Sequence, residues 1–476
     1  MNQLSAFGPN SAQPTEQIRL SGHAGKKHHG KMGRMGNPAM LALALAVSCF
    51  SGAEEVYAKD DIPDYASETL TGDWGGTREK IHERGILLDL SLKVDLLRNR
   101  GGLADGGHNM RHLDIKLKAD MEKILGWRGA TGFINLIHDS GDKLNERYTG
   151  SFMGVSNIEV PVDTHRFFHA WIQQEFGEGR FSLLAGLYPI DSEFQVLESA
   201  ALFVQPPYGP TADLSLTRGP SIFNNPAFGL RAKWYTSDRT IYAQGAILDG
   251  VPGDLHSPKG THIRFEHGDG GMAIVEFGWN PFEKGHTFEP VTPDKGVPMA
   301  PAIKIHETAD EMGKLALGFW GYSALVDDLV DINADGTPAK RKSQGWYVLA
   351  ERTLWRGEDG RDLAGFARYS KSDGDSTALD EVWSLGLNLN APFASRPDDR
   401  IGLAYTRSRL GAKFMTAQNN VGVIPSSYED AWELTYRIQA SKWLAIQPLW
   451  QRFGYPGGDQ SIPRANIMGV RAELVF

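Results

Sequence analysis

The segment LDLSLKVDL, residues 88–96, decides the fold because apolar and polar side chains alternate along its whole length. The apolar side chains fall on one face of an extended chain, and the polar and charged ones fall on the other. The segment HLDIKLKADM, residues 112–121, repeats the pattern with more charge on its polar face. A period of two residues is typical of a β-strand whose two faces meet different surroundings.

Two structures explain such strands. One is an antiparallel sheet with one face on a core and the other in water. The other is a transmembrane barrel with lipid outside and water inside. Alternation alone does not separate them, but it predicts sixteen strands with the following bounds: 86–98, 111–123, 130–139, 167–176, 181–189, 227–236, 240–248, 272–279, 313–322, 345–355, 362–371, 380–391, 399–408, 428–439, 441–452 and 464–476.

The lengths of the connections favour the barrel. Long connections such as 140–166, 190–226 and 323–344 follow odd-numbered strands, and short ones such as 177–180 follow even-numbered strands. Outer-membrane barrels alternate in this way because their periplasmic turns are short and their external loops are long. The connection 280–312 departs from the rule, either as a periplasmic insertion or as a missed pair of strands.

The last predicted strand supports the same conclusion. Arg471 and Glu473 share its polar face, and the chain ends on Phe476, an aromatic end that the barrel assembly machinery commonly recognises. The sequence therefore predicts an all-β fold, a sixteen-stranded antiparallel transmembrane β-barrel with a short N-terminal helical segment. A barrel of sixteen strands leaves an aqueous channel.

The composition excludes other classes of protein. The chain has 476 residues with 41% apolar residues and a mean hydropathy of -0.33, which excludes a bundle of transmembrane helices. Its 49 basic and 58 acidic residues give a net charge of -9, so we expect no nucleic-acid partner. Cys49 is the single cysteine, which excludes cysteine-based zinc sites.

The N-terminus is typical of an exported protein. The run PAMLALALAVSCF, residues 38–50, follows several basic residues and precedes small ones, as in a secretory signal peptide. We predict a cleaved signal peptide over 1–58, with Ala53 as the alternative cleavage site to Ala58. An N-terminal periplasmic segment with a short helix then covers 59–85, and the barrel covers 86–476.

Several motifs resemble the carbohydrate-selective porins of Gram-negative outer membranes, the OprB-type family. They include LTGDWGGTR (70–78), AGLYPIDSEFQ (185–195), GLRAKWY (229–235) and ELTYRIQASKWLAIQPLWQ (433–451). The resemblance implies a sixteen-stranded barrel, homotrimers, and passive uptake of monosaccharides and related polyols across the outer membrane. It implies neither enzyme activity nor a cofactor. The long leader and the 280–312 connection depart from the family's pattern.

Other functions remain open at this point. The first alternative is a channel for sugar acids or other small organic anions, and the second is a less selective general diffusion porin. Two further alternatives are an enzyme built on a membrane barrel and an exported β-sandwich that binds glycans. The partners expected for a porin are sugar substrates, outer-membrane lipid and lipopolysaccharide.

Selectivity needs a constriction with fixed donors, acceptors and apolar faces. The connection 190–226 is the candidate to fold into the pore. For Phe203 and Tyr208 in this connection, packing against the barrel wall is an equal alternative to stacking on sugar. The residues predicted to bind substrate are Glu193, Phe194, Phe203 and Tyr208 in this connection, and Lys116, Gln173, Glu175, Arg231, Lys233 and Glu276 on the wall.

One motif imitates half of a calcium loop. Asp331, Asn333 and Asp335 offer oxygen ligands and Gly336 permits the sharp turn, but Lys342 stands where a calcium loop has its bidentate Glu. An ordinary external turn is therefore the preferred interpretation. No catalytic residues are predicted.

Overall fold

The computed structural model describes residues 63–254, 256–257, 260–261, 263–282 and 312–476. Sixteen antiparallel strands form one closed barrel in which each strand pairs with its neighbours in sequence and β1 pairs with β16. The strands are β1 Ile86–Arg100, β2 Gly106–Asp120, β3 Ala130–Gly141, β4 Thr164–Phe176, β5 Phe181–Leu187, β6 Phe228–Tyr235, β7 Ile241–Asp249, β8 Gly271–Trp279, β9 Gly313–Ile332, β10 Pro338–Arg356, β11 Asp362–Ser372, β12 Leu379–Asn390, β13 Arg400–Leu410, β14 Tyr428–Ser441, β15 Leu444–Gly454 and β16 Ala465–Val475.

The predicted barrel is confirmed, and so is the facing of its side chains. On β1, Lys93 and Asp95 are buried in the interior, whereas Leu96 on the outer face is 54% exposed. On β16, Arg471 and Glu473 are buried inside and Met468 lies outside. Because the side-chain period of a strand is two, one correct assignment per strand fixes the facing of the whole strand.

The β9–β10 hairpin is longer than predicted. The sequence predicts an external connection over 323–344, but β9 continues to Ile332 and β10 begins at Pro338. Polar residues such as Asp327 and Asp328 fall on both faces of this extension, so no apolar alternation marks it as a strand. Pairing of the backbone nevertheless continues up to a turn that Asn333 closes by donating its N–H to the Thr337 carbonyl at 2.8 Å.

The connection 280–312 falls mostly outside the described residues, which omit 283–311. Within the described part, β8 pairs directly with β9, with Trp279 opposite Leu315. The barrel therefore closes without a further pair of strands at this position. The predicted signal peptide, 1–58, also lies outside the described residues.

The helices are short. They are α1 Tyr65–Glu68, α2 Thr77–Glu83, α3 Met121–Leu125, α4 Ala212–Ser215 and α5 Ala412–Asn420. The start of α3 explains why β2 ends earlier than predicted, since the Asp120 carboxylate caps the helix by accepting the Glu122 N–H at 2.9 Å. No helix in the described ranges has the length and apolar character to cross a membrane.

The N-terminal segment packs at the seam between the first and last strands. The buried Arg78 guanidinium donates to the Phe476 carbonyl at 2.7 Å and to the Leu88 carbonyl at 2.9 Å, and it lies 4.0 Å from the centre of the Tyr65 ring. Leu70 donates its N–H to the Val475 carbonyl at 2.8 Å. The family-like motif at 70–78 thus fastens the C-terminal strand to β1.

The facing of the outer residues leads to a test of stability. Leu434 lies on the outer face at the middle of β14 and is 43% exposed, whereas Leu474 lies next to the end of β16. We expect Leu434→Arg to lower the free energy of unfolding in lipid vesicles by about 2–4 kcal/mol, and Leu474→Arg by about 0–1 kcal/mol, because the cost of a lipid-facing charge falls towards the interface.

The measurement is a denaturant titration in vesicles, followed by tryptophan fluorescence. Glu473→Gln is the matched control on the inner face, where the side chain accepts a bond from Arg437 at 3.0 Å and needs no lipid contact. We expect a smaller loss than for Leu434→Arg, because the amide oxygen can still accept from Arg437, which is 17% exposed. Equal losses for all three variants would contradict the assigned facing.

Candidate functional site

Residues 188–227, which we call the lumen segment, leave the wall between β5 and β6 and cross the barrel interior. Leu187 pairs with Phe228, so the segment departs and returns at the same point of the wall. It contacts β8 through Gln195, whose N–H is 3.0 Å from the Glu276 carboxylate. It also reaches β15, where the Gln447 amide donates to the Leu202 carbonyl at 2.8 Å. The predicted folding of 190–226 into the pore agrees with this placement.

Carboxylates on the wall hold the backbone of the lumen segment. Glu351 on β10 accepts the Ser199 N–H at 2.9 Å and its hydroxyl at 2.7 Å. Glu433 on β14 accepts the N–H groups of Val204 at 2.7 Å and Gln205 at 2.9 Å. Bonds from N–H groups to a charged acceptor are stronger than those between neutral groups. The path of the segment is therefore fixed at several points around the barrel.

Arg368 on β11 holds the same segment through its carbonyl groups. Its guanidinium donates to the Gly209 carbonyl at 2.6 Å, to the Pro207 carbonyl at 2.9 Å, and to the carbonyl of Gln195. The segment has little regular secondary structure, so its backbone groups need such partners when buried.

A buried ion pair joins the start of the lumen segment to β6. Arg231 donates to the two Glu193 carboxylate oxygens at 2.7 and 3.1 Å, and it also donates to the Ser182 hydroxyl at 2.6 Å and to Gln173. The Lys233 ammonium lies 3.8 Å from the same carboxylate. Burial raises the pKa of Glu193, but the charges of Arg231 and Lys233 outweigh burial and lower that pKa to about 2. Glu193 is therefore ionised at neutral pH.

Glu276 on β8 is fully buried, and its carboxylate accepts hydrogen bonds from four groups. Its carboxylate accepts the Tyr242 hydroxyl at 2.6 Å, the Tyr347 hydroxyl at 2.8 Å and the Gln244 amide at 3.1 Å, in addition to the bond from Gln195. These bonds satisfy both oxygens. Glu276 and Arg231 were predicted to bind substrate, but their covered side chains instead hold the lumen segment.

The three predicted aromatic residues of the lumen segment are buried. Phe194, Phe203 and Tyr208 belong to the interior hydrophobic cluster, with exposed fractions of 1%, 2% and 3%. The Phe203 ring centre lies 4.9 Å from that of Tyr208 and 5.9 Å from that of Phe366 on β11. This geometry matches the packing alternative for Phe203 and Tyr208, because their ring faces meet other protein atoms.

The architecture can be compared with known proteins. Residues 104–476 match the family described as "Carbohydrate-selective porin, OprB family". The chain belongs to this family. It is similar to Porin B of Pseudomonas aeruginosa, with 24% identity over 448 residues that cover 86% of this chain and 92% of the relative. It is also similar to the putative porin QuiX of Acinetobacter baylyi, with 20% identity over 94% of this chain and all of the relative.

A solved structure supports the fold. The high-pH structure of Pseudomonas putida OprB superimposes with a TM-score of 0.75 at 21% identity, covering 87% of this chain and 99% of that one. The resemblance to OprB-type porins seen in the sequence is confirmed. The family and the fold are those of an outer-membrane channel rather than an enzyme.

The remaining predicted residues of this porin lie at inward positions and keep some exposure. The side chain of Lys116 is 9% exposed, that of Lys233 is 12% exposed, and that of Glu193 is 11% exposed. Glu175 is 8% exposed and accepts the Gln173 amide at 2.9 Å. These groups present charges of both signs near the lumen segment.

Sequence reasoning missed other inward charges. Lys314 on β9 is 14% exposed and lies 3.9 Å from Glu276. Arg437 on β14 is 17% exposed and pairs with Glu473. Alternation places both residues on inner faces, but it does not indicate which inner charges remain open to solutes.

A second external connection also turns inward. The connection predicted as an outer loop over 140–166 covers 142–163 in the structure. Its Ser156 hydroxyl donates to Asp95 on β1 at 2.6 Å, and Asn157 donates its N–H to the Val204 carbonyl at 2.9 Å. The two inward-folded connections therefore support each other inside the porin.

The calcium candidate lies at the tip of the β9–β10 hairpin. Asp331 is paired with Arg341 at 2.7 Å and with Lys413 at 2.8 Å, and Asp335 accepts the Thr337 hydroxyl at 2.7 Å. Among the described residues, no group of three or more His, Cys, Asp or Glu side chains is arranged to hold a metal ion. The geometry is that of an ordinary turn stabilised by side chains.

Proposed function

We propose that this porin mediates passive, substrate-selective diffusion of monosaccharides and related polyols across the outer membrane of a Gram-negative bacterium. The single observation that carries the proposal is the lumen segment, which narrows the channel and is held by Glu276, Glu351 and Glu433 at its backbone. A fixed constriction selects by size and by its polar lining.

The lining supports a neutral, hydroxyl-rich solute. Lys116, Lys233, Glu175 and Glu193 offer hydrogen-bond donors and acceptors in the barrel interior. A sugar hydroxyl both donates and accepts, so it can replace its water partners with such groups. An ion of either sign meets a repulsive neighbour in this lining. We assign substrate contact to these four side chains, whereas Gln173 is 2% exposed and its amide is bonded to Glu175 and Arg231.

The alternative substrate class is sugar acids or other small organic anions. The observation in its favour is that Lys116, Lys233 and Lys314 are at inward positions with side chains 9%, 12% and 14% exposed, whereas the inward arginine Arg231 is covered and neutralised by Glu193. A general diffusion porin is less well supported, because the anchored segment occupies the lumen.

Liposome swelling tests the proposal. We expect the folded porin to admit glucose and a six-carbon polyol much faster than a disaccharide, since the constriction limits size. Lys233→Gln is the informative variant, and Lys340→Gln at the exposed hairpin tip is its control. Lys233→Gln should slow a sugar acid more than glucose if the anion alternative holds. A channel that passes neither glucose nor polyols would overturn the proposal.

We also propose a homotrimer, delivered by the assembly machinery through the terminal Phe476. The support is that β5 and β6 are short, with seven residues in Phe181–Leu187 and eight in Phe228–Tyr235, whereas a transmembrane strand needs about 9–11 residues. The outer surface of such short strands is better covered by neighbouring copies of the chain than by lipid.

A further inference from the structure

We infer that the outer face of the barrel at its extracellular end carries a site for the phosphate groups of an outer-leaflet glycolipid, the lipid A part of lipopolysaccharide. The site consists of four arginines around Asn466, which we call the arginine patch: Arg98 and Arg100 on β1, Arg452 on β15, and Arg464 just before β16. All four are exposed. The inference rests on the outer-membrane location of the porin and not on its sugar specificity.

The strand register brings the arginine patch together. Asn466 on β16 pairs with Arg100 on one side and with Arg452 on the other. Neighbouring strands lie about 4.8 Å apart, so the two arginine backbones are about 10 Å apart. Arg98 is two residues before Arg100 on β1 and shares its outer face, and Arg464 is exposed one residue before β16 begins. Side chains of this length can converge on one phosphate group.

The patch lies next to the surface that faces lipid. One register row further into the membrane, Met468 pairs with Arg98 and with Trp450, and Met468 is 62% exposed on the outer face. Trp432 pairs with Arg452. Aromatic residues form girdles at the interfaces of outer-membrane barrels. The arginines are therefore at the level of lipid headgroups, above a surface suited to acyl chains.

None of the four guanidinium groups of the patch forms an ion pair within the part of the chain that the structure describes. The nearby Asp105 carboxylate accepts a hydrogen bond from the Gly101 N–H at 2.8 Å. Arg409 on the same rim shows the contrast, since it is paired with Asp380 at 2.8 Å and with Glu381 at 3.5 Å. Clustered cations without carboxylates repel one another, so a bound anion would stabilise them.

The residue type favours a phosphate group. A guanidinium group is planar and can donate two parallel bonds to one phosphate, which an ammonium group cannot do. Lipid A carries phosphate groups at the interface between sugar and acyl chains. A phosphate held by Arg100 and Arg452 would leave the acyl chains beside Met468 and the neighbouring tryptophans.

The test is a titration of the folded, full-length porin in detergent micelles with bisphosphorylated lipid A, followed by native mass spectrometry. The variant Arg100→Gln/Arg452→Gln should bind about tenfold more weakly or worse, since hydrogen bonds to charged groups are lost. The control variant Arg84→Gln/Arg356→Gln removes two exposed arginines at the periplasmic end, and it should bind as the wild type does. Arg100→Lys/Arg452→Lys should be intermediate.

Two further measurements distinguish lipid A from its dephosphorylated form and from free phosphate. Wild-type porin should bind dephosphorylated lipid A as weakly as the glutamine variant does, and inorganic phosphate at millimolar concentration should not displace intact lipid A. Three results would overturn the inference: equal affinities of variant and wild type, equal weakening by the control, or a change of assembly mass in the variant with unchanged lipid binding. The last result would make the patch a contact between copies. Glucose flux after reconstitution of the same proteins into liposomes reports separately on the proposed transport function.

Discussion

Replacing Arg231 with methionine should lower the free energy of unfolding by about 3–5 kcal/mol, because the Glu193 carboxylate would remain buried without its main partner. The two side chains are joined by bonds of 2.7 and 3.1 Å, and Arg231 is only 2% exposed. The change should also release the start of the lumen segment. Urea titration in detergent measures the first effect, and single-channel noise measures the second.

Two control variants separate charge from volume. Glu193→Gln/Arg231→Met removes both charges and should recover most of the lost stability, since a buried pair often contributes little over neutral groups of similar size. Arg231→Lys keeps the charge but loses the fork of donors that also reaches Ser182. A double variant as unstable as Arg231→Met alone would show that packing, not the unpaired charge, carries the loss.

Acid should weaken the same contact in the wild type. Burial acts to raise the pKa of Glu193, but Arg231 and Lys233 lower it from the usual 4.5 to about 2. A carboxyl with a lowered folded-state pKa contributes stability that is complete above its usual pKa and is lost as the pH falls towards its folded-state pKa. The contribution should therefore disappear between about pH 4.5 and pH 2, and the Arg231→Met variant should lose less stability over that range.

Strands were predictable in this protein because each one has two different surroundings. On β1 the alternation of Leu92, Lys93 and Val94 indicates lipid on one side and the interior on the other. The start of the strand and its facing therefore follow from the sequence, whereas its end at Arg100 lies two residues beyond the predicted bound. The same rule explains the failure at the β9–β10 hairpin. Both faces of that extension meet polar surroundings, so its residues carry no period of two.

The candidate site was predictable only in part. Glu193 and Arg231 were identified as inward or segment residues, but their mutual pairing depends on the path of the lumen segment. Glu351 and Glu433 were not identified, because their partners are backbone N–H groups of Ser199 and Val204. Every residue except proline carries such a group, so no residue type marks the partner of a wall carboxylate.

The charged interior also has a structural meaning. In a soluble core, carboxylates such as Glu276 and Glu433 would be costly, since each needs several donors when buried. Here the same carboxylates provide the acceptors that an irregular segment lacks. The charges of the inner face thus divide into those that hold the constriction, such as Glu351, and those that line it, such as Lys233.

Removal of the lumen segment should produce the largest change in transport. The design replaces residues 189–226 with Asn-Gly, because Tyr188 donates its N–H to the Ala227 carbonyl at 3.0 Å, and a two-residue turn can join strands in this register. We expect single-channel conductance to rise several-fold and a disaccharide to pass nearly as fast as glucose. Planar-bilayer recording and liposome swelling measure the two effects.

The direction of ion selectivity gives this variant a sharper readout. Glu276, Glu351 and Glu433 would lose their segment donors and face water in an open lumen, so the reversal potential in a salt gradient should shift towards cation preference. The control replaces Asn333–Thr337 at the tip of the β9–β10 hairpin with Asn-Gly, which shortens an external turn and leaves the lumen unchanged. If the variant folds as a heat-modifiable barrel but keeps the conductance and size limit of the wild type, the lumen segment does not form the constriction.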